Sequence, residues 1–166
     1  MRKILLHVII VFSFSILIIG CNLTNNESTD NSLLSNGYIF TKNNHLTNDQ
    51  VTKLINLSSI REKGYVVIIS TSIYKKNRKV NALKQQFYYY DIMAVHVLNK
   101  DIKTGLKKSD IIMLEKAKII CFVGNGSKSF FNWAVKFRLR KYLLNAKKNG
   151  ALIAGRKEVI SRLKLQ

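Results

Sequence analysis

Short apolar runs alternate with amphipathic stretches along most of the chain. Most of the runs are nearly continuous in apolar side chains, which is typical of strands covered on both faces. We predict five strands, at residues 37–40, 64–70, 92–98, 119–123 and 151–154.

The stretches between the runs have helical patterns. Thr47 and Gln50 are spaced as a capping box, which predicts a helix start. Residues 129–148 predict a single helix, with Lys136, Arg140 and Lys147 off its apolar stripe. The stripe consists of Phe131, Val135, Leu139, Tyr142, Leu143 and Ala146. Strands that alternate with helices predict an α/β fold, a three-layer sandwich with a mostly parallel sheet.

The amino-terminal segment has the pattern of a lipoprotein signal peptide at residues 1–20. Arg2 and Lys3 precede the apolar run at residues 4–19, which ends in Gly20 and Cys21. A small residue before a cysteine is what lipoprotein processing requires, so we predict lipidation of Cys21, for example with palmitate. The alternative is an uncleaved transmembrane anchor, for which the run is short. Either way, the protein is expected in the bacterial cell envelope, outside the cytoplasm and anchored to a membrane.

Residues 21–36 are rich in Asn, Ser and Thr and are predicted to be a polar tether. One folded domain is then expected at residues 37–166. Of the 28 basic residues, 26 remain after the signal is removed, against 9 acidic ones. Such an excess predicts anionic partners, either anionic lipids or cell-wall polyanions, whereas nucleic acid is a poor candidate outside the cytoplasm. The alternative is a codon bias without function.

The basic residues are densest in two runs, which predict a basic surface. The runs contain Lys75, Lys76, Arg78, Lys79, Lys136, Arg138, Arg140 and Lys141. Aromatic residues close to the first run could also stack on bases, but solvated helix faces usually have this composition.

Cys121 lies within an apolar run and is interpreted as a buried hydrophobe. His45 and His96 have no second ligand at metal-binding spacing, so neither a metal nor a cofactor is expected. His96 is interpreted as a core histidine rather than as a general base.

Three segments at the predicted strand ends carry a family resemblance. They read VIISTS at residues 67–72, FVGNGS at residues 122–127 and GALIAG at residues 150–155. In this order and spacing they resemble the cyanophycinase and dipeptidase E family of serine peptidases. The resemblance covers residues 37–160 and implies the fold of class I glutamine amidotransferases. This chain would hold a flavodoxin-like half of that fold, incomplete relative to the family.

The departures from the family pattern fall on its catalytic residues. Lys157 stands where the family has its nucleophilic serine, and the family's histidine base would lie beyond Gln166. The resemblance therefore implies a domain without catalytic residues. Ser72, or Ser127 paired with Lys128, is an alternative nucleophile, but neither is expected to act as one, because adjacent residues on one turn seldom point at each other.

Two candidate binding features remain at the predicted strand ends. Thr71 and Ser72 could line a pocket. The loop from the strand at 119–123 to the following helix could bind an anion, because free N–H groups and the helix dipole favour negative charge there. That loop consists of Gly124, Asn125, Gly126, Ser127 and Lys128. The alternative is that its glycines serve only the turn.

Three hypotheses follow for the function. The first is a lipid-anchored, cyanophycinase-like domain without catalytic activity that acts as a binding or accessory module. The second is a serine-type hydrolase that is active only when a partner supplies the missing parts. The third is an unrelated cationic lipoprotein that binds envelope polyanions.

Overall fold

The computed structural model describes residues 34–35, 37–42, 45–62, 64–72, 78–98 and 105–165. All of them belong to one compact unit, Ser32–Gln166. The predicted signal peptide, Cys21 and the tether as far as residue 33 lie outside the described residues.

The strands form one sheet with a parallel core. They are β1 (Leu34–Ser35), β2 (Tyr38–Thr41), β3 (Val66–Ser70), β4 (Val95–Leu98), β5 (Ile119–Val123) and β6 (Leu152–Arg156). Their spatial order is β1-β2-β6-β5-β3-β4. β1 pairs antiparallel with β2, and the other neighbours pair in parallel.

Within the described residues, six helices cover the two faces of this sheet. They are α1 (Asn48–Leu57), α2 (Arg78–Tyr89), α3 (Lys108–Lys116), α4 (Lys128–Lys136), α5 (Leu139–Lys148) and α6 (Lys157–Arg162). α1 and α2 pack in one hydrophobic core with one face of the strands, and the other four helices pack in a second core on the opposite face. This arrangement confirms the predicted three-layer α/β sandwich.

The predicted strands are all present, with β4 shorter than expected. Residues 92–94 precede β4, and Met93 and Ala94 are exposed. β1 lies within the segment predicted as a tether, residues 21–36, and pairs with β2. The missed signal is the Asn36–Gly37 pair, which is typical of a tight hairpin turn. Gly37 has the positive φ of 83° that such a turn requires.

The prediction of a single helix at residues 129–148 is wrong, because α4 and α5 occupy this range. The backbone leaves the helical conformation between α4 and α5, where Arg138 adopts a left-handed φ of 54°. The break changes the direction of the apolar stripe. Leu139, Leu143 and Ala146 are buried, whereas Val135 is 79% exposed.

Candidate functional site

The carboxyl ends of the parallel strands meet at one edge of the sheet, where open α/β sheets bind ligands. β3 and β5 are neighbours, but α2 and α4, which follow them, lie on opposite faces of the sheet. Such a change of side is the usual position of a ligand crevice. The structure brings two predicted features together here, Thr71 after β3 and the loop after β5.

Thr71 is fully buried and holds the loop by hydrogen bonds. Its Oγ1 donates to the Val123 carbonyl at 3.1 Å and accepts from the Gly126 N–H at 3.0 Å. The Thr71 carbonyl accepts from the Ser127 N–H at 3.1 Å. Two loop N–H groups that an anion could have used are therefore bound to Thr71.

The glycines of the loop face protein atoms at short range. A Cβ at Gly124 would lie 2.6 Å from Thr71 Oγ1. A Cβ at Gly126, whose φ is 77°, would lie 2.7 Å from the Phe131 ring. These contacts favour the interpretation that the glycines allow close packing and turning. Anion binding at this loop stays a prediction.

The serines considered as nucleophiles have hydrogen-bond partners within their own turns. Ser127 Oγ accepts from the Phe130 N–H at 3.1 Å, as the N-cap of α4, and lies 3.0 Å from Ser129 Oγ. Ser72 Oγ lies 3.2 Å from Ser70 Oγ. The Ser127 hydroxyl thus caps the start of α4, and the Ser72 hydroxyl contacts the last residue of β3.

Lys157 begins α6 directly after β6. A nucleophile elbow is a sharp, strained strand-to-helix turn. Here Arg156 has an ordinary φ of −63°, and Lys157 is exposed. Glu158 accepts from Arg156 Nε at 3.1 Å; a backbone hydrogen bond and this contact lower the pKa of the Glu158 carboxyl. The segment has the geometry of a regular helix start.

The interpretation of His96 as a core residue is wrong. The side chain is exposed and contacts the Tyr65 ring edge to face, with centroids 5.1 Å apart. β4 is the edge strand, so a side chain there has neighbouring strand residues on one side only. Cys121, in contrast, is fully buried as predicted, and burial raises its pKa far above the usual range of a thiol. A protonated, buried thiol is a poor nucleophile.

In the part of the chain that the structure describes, His, Cys, Asp and Glu side chains form no group of three that could hold a metal ion. No helix in the same residues has the length and apolar character needed to cross a membrane.

The two predicted basic runs lie in opposite helical layers. Arg78 and Lys79 are exposed at the start of α2, while Lys75 and Lys76 lie outside the described residues. The second run surrounds the break between α4 and α5, and all of its basic residues are exposed: Lys136, Arg138, Arg140 and Lys141. The sheet lies between the described residues of these two groups.

Sequence reasoning missed the basic residues that α6 adds to the second run. The Arg162 guanidinium lies 4.2 Å from the Phe131 ring centroid, and Arg140 Nε donates to the Lys164 carbonyl at 2.8 Å. The signal in the sequence is the absence of Asp and Glu between Glu115 and Glu158 and after Glu158. Charge segregation of this kind was visible without the structure.

Thr71 is expected to be important for the loop. Thr71→Val removes the hydroxyl that pairs with Gly126 N–H and Val123 O, and should lower the free energy of unfolding by about 1–3 kcal/mol. Thr71→Ser keeps the hydroxyl and is the matched control, with a smaller loss. Urea denaturation of both variants measures the difference. Equal losses would show that the methyl group, not the hydroxyl, stabilises the loop.

Comparisons with known proteins give no family assignment. No model of a known protein family matches the chain. A search of curated proteins also finds no match.

Proposed function

We propose that this protein is a lipid-anchored binding module of the bacterial cell envelope, similar to cyanophycinase-type peptidases but without catalytic activity. Its lipid would be attached to Cys21, and its partners would be anionic lipids or wall polyanions. The observation that carries the binding role is the clustering of exposed basic side chains on α4, α5 and α6, in a part of the chain almost without carboxylates.

The absence of catalysis is supported at the position that the resemblance assigns to the nucleophile. Acyl transfer needs a nucleophile, a base and oxyanion donors in one constellation. Lys157 is the exposed first residue of an ordinary helix and offers an amine in place of the family's serine hydroxyl. The described histidines, His45 and His96, are exposed, and His96 lies on the edge strand β4.

The alternative of a hydrolase completed by a partner receives less support from the sheet. β6 leads into the position of the family nucleophile, and both of its edges are already paired, one with β2 and the other with β5. Additional strands could join only at the outer strands, away from β6.

We expect the purified protein to be inert towards a fluorophosphonate probe and towards β-aspartyl and Asp-X peptides. Lys157→Ser should be equally inert, because a hydroxyl alone supplies no base. Gel fluorescence after probe treatment measures labelling, with a known serine peptidase as the positive control. Labelling that Ser127→Ala or Ser72→Ala abolishes would contradict the proposal and favour the hydrolase.

The binding role is tested with residues 22–166, which lack the lipid attachment site. We expect this protein to sediment with vesicles rich in phosphatidylglycerol, to ignore pure phosphatidylcholine vesicles, and to be released as salt rises. Sedimentation that does not depend on lipid charge or salt would contradict the binding role. So would a protein that binds neither phosphatidylglycerol vesicles nor inorganic polyphosphate.

A further inference from the structure

We propose that one surface, formed by α4, the start of α5 and the end of α6, docks the domain on an anionic bilayer, with Val135 entering the lipid interface. This inference rests on the proposed function and assigns it a surface and a partner. We call it the α4–α6 surface. It consists of Val135 and six basic residues: Lys136, Arg138, Arg140, Lys141, Arg162 and Lys164.

The charge of the α4–α6 surface is of one sign. All six basic side chains are exposed. The nearest acidic residues in the sequence are already engaged: Glu115 accepts from Asn145 Nδ2 at 2.8 Å, and Glu158 pairs with Arg156 at the opposite end of α6. A surface of this kind attracts the anionic headgroups of a membrane, and the attraction falls within a Debye length.

Tertiary contacts bring these charges together from separate parts of the chain. The bond from Arg140 Nε to the Lys164 carbonyl joins the first turn of α5 to the residues after α6. The contact of Arg162 with the Phe131 ring joins α6 to α4. The segment that carries Arg162 and Lys164 therefore contacts both α4 and α5.

Val135 distinguishes a bilayer from a soluble polyanion as the partner. The buried side of α4 carries Phe130, Phe131, Trp133 and Ala134, which leaves Val135 79% exposed immediately before Lys136. A single exposed apolar residue is common on protein surfaces. One that is followed in the sequence by exposed Lys136 and Arg138 fits a membrane interface, where lysine and arginine contact headgroups and apolar side chains reach the acyl boundary. A wall polyanion would leave Val135 in water.

Two other strongly exposed apolar side chains of the described residues lie close to a carboxylate in the sequence. Tyr89 and Met93 are 81% and 66% exposed, but Asp91 lies between them in the sequence. A carboxylate there would be repelled by an anionic membrane. Met93 therefore provides a matched control position for Val135.

The test uses the full lipoprotein reconstituted in vesicles. An environment-sensitive fluorophore is attached to Val135→Cys, since Cys21 is blocked by lipid and Cys121 is buried. We expect a blue shift and quenching by spin-labelled lipid in phosphatidylglycerol vesicles, and neither in phosphatidylcholine vesicles. The same label on Met93→Cys should stay in water in both. A label at position 135 that stays in water on anionic vesicles would overturn the proposal.

Charge variants test whether the α4–α6 surface is the one that docks. Lys136→Gln, Arg138→Asn and Lys141→Gln together remove three charges, and Asn tolerates the left-handed backbone at position 138. We expect the equilibrium constant for docking on anionic vesicles to fall about a hundredfold. Lys53→Gln, Arg78→Gln and Lys84→Gln remove the same charge from α1 and α2 and should change it by less than about threefold.

The possible outcomes separate this inference from the proposed function. Equal weakening by both triple variants would overturn the α4–α6 surface but leave an anion-binding module. Binding of the domain to inorganic polyphosphate, with the label at position 135 remaining in water on anionic vesicles, would overturn the bilayer in favour of a wall polymer. Absence of anion binding by residues 22–166 would instead contradict the proposed function itself.

Discussion

Cys21→Ser is expected to abolish lipid attachment completely and to leave an uncleaved precursor. The thiol of Cys21 is the only group in the predicted lipobox that can take up diacylglycerol, and processing at Gly20–Cys21 depends on that modification. The serine hydroxyl is far less nucleophilic than a thiol and cannot replace it. Incorporation of radiolabelled palmitate and the size of the product on a gel measure both effects.

Cys121→Ser provides the control, because Cys121 is the other cysteine of the chain and is buried in the core. It should incorporate palmitate at the parent level. Equal labelling of the parent and Cys21→Ser would contradict the lipoprotein prediction. A parent that remains uncleaved and unlabelled would favour the transmembrane anchor.

Phe130→Ala is expected to lower the free energy of unfolding by about 3–5 kcal/mol. Phe130 is fully buried in the core beneath α4, and its ring lies 6.3 Å from that of Phe122 and 5.3 Å from that of Phe131. Its removal leaves a cavity that close-packed neighbours can fill only in part. A domain of this size is stable by only about 5–15 kcal/mol, so a large fraction of its stability would be lost. Urea denaturation of residues 22–166 measures the change.

Tyr89→Ala is the matched control, because it also removes an aromatic ring from a helix but at a site that is 81% exposed. It should change the free energy of unfolding by less than about 0.5 kcal/mol. A loss at Phe130 no greater than that at Tyr89 would contradict the packing described for α4.

Local patterns were sufficient to predict the class of fold. Each of the five parallel strands was visible as an apolar run, and the capping box at Thr47 is present, with Gln50 N–H bound to Thr47 Oγ1 at 3.3 Å. The break at Arg138 was not visible, because the periodicity of residues 129–148 fits one helix. The structure instead has two helices in this region, separated by the left-handed backbone of Arg138.

The candidate site was predictable residue by residue, but not as an arrangement. Thr71 and Gly124–Lys128 were identified separately, as residues that follow two strands. Their contact depends on β3 and β5 being neighbours, which the order of strands along the chain does not reveal. The same contact directs the Gly126 N–H towards Thr71 Oγ1, so the hydrogen bonds that occupy the loop are a tertiary feature.

Three properties follow from the order of amino acids alone: the alternation of strands and helices, the buried position of Cys121 and the lack of acidic residues between Glu115 and Glu158. These properties depend on side chains close together in the chain, because periodicity and composition are local. Three others were revealed by the folded chain: His96 is exposed, Val135 faces solvent, and Arg140 contacts Lys164. These outcomes depend on which strand is at the edge and on how helices distant in sequence pack together, and local patterns do not specify either.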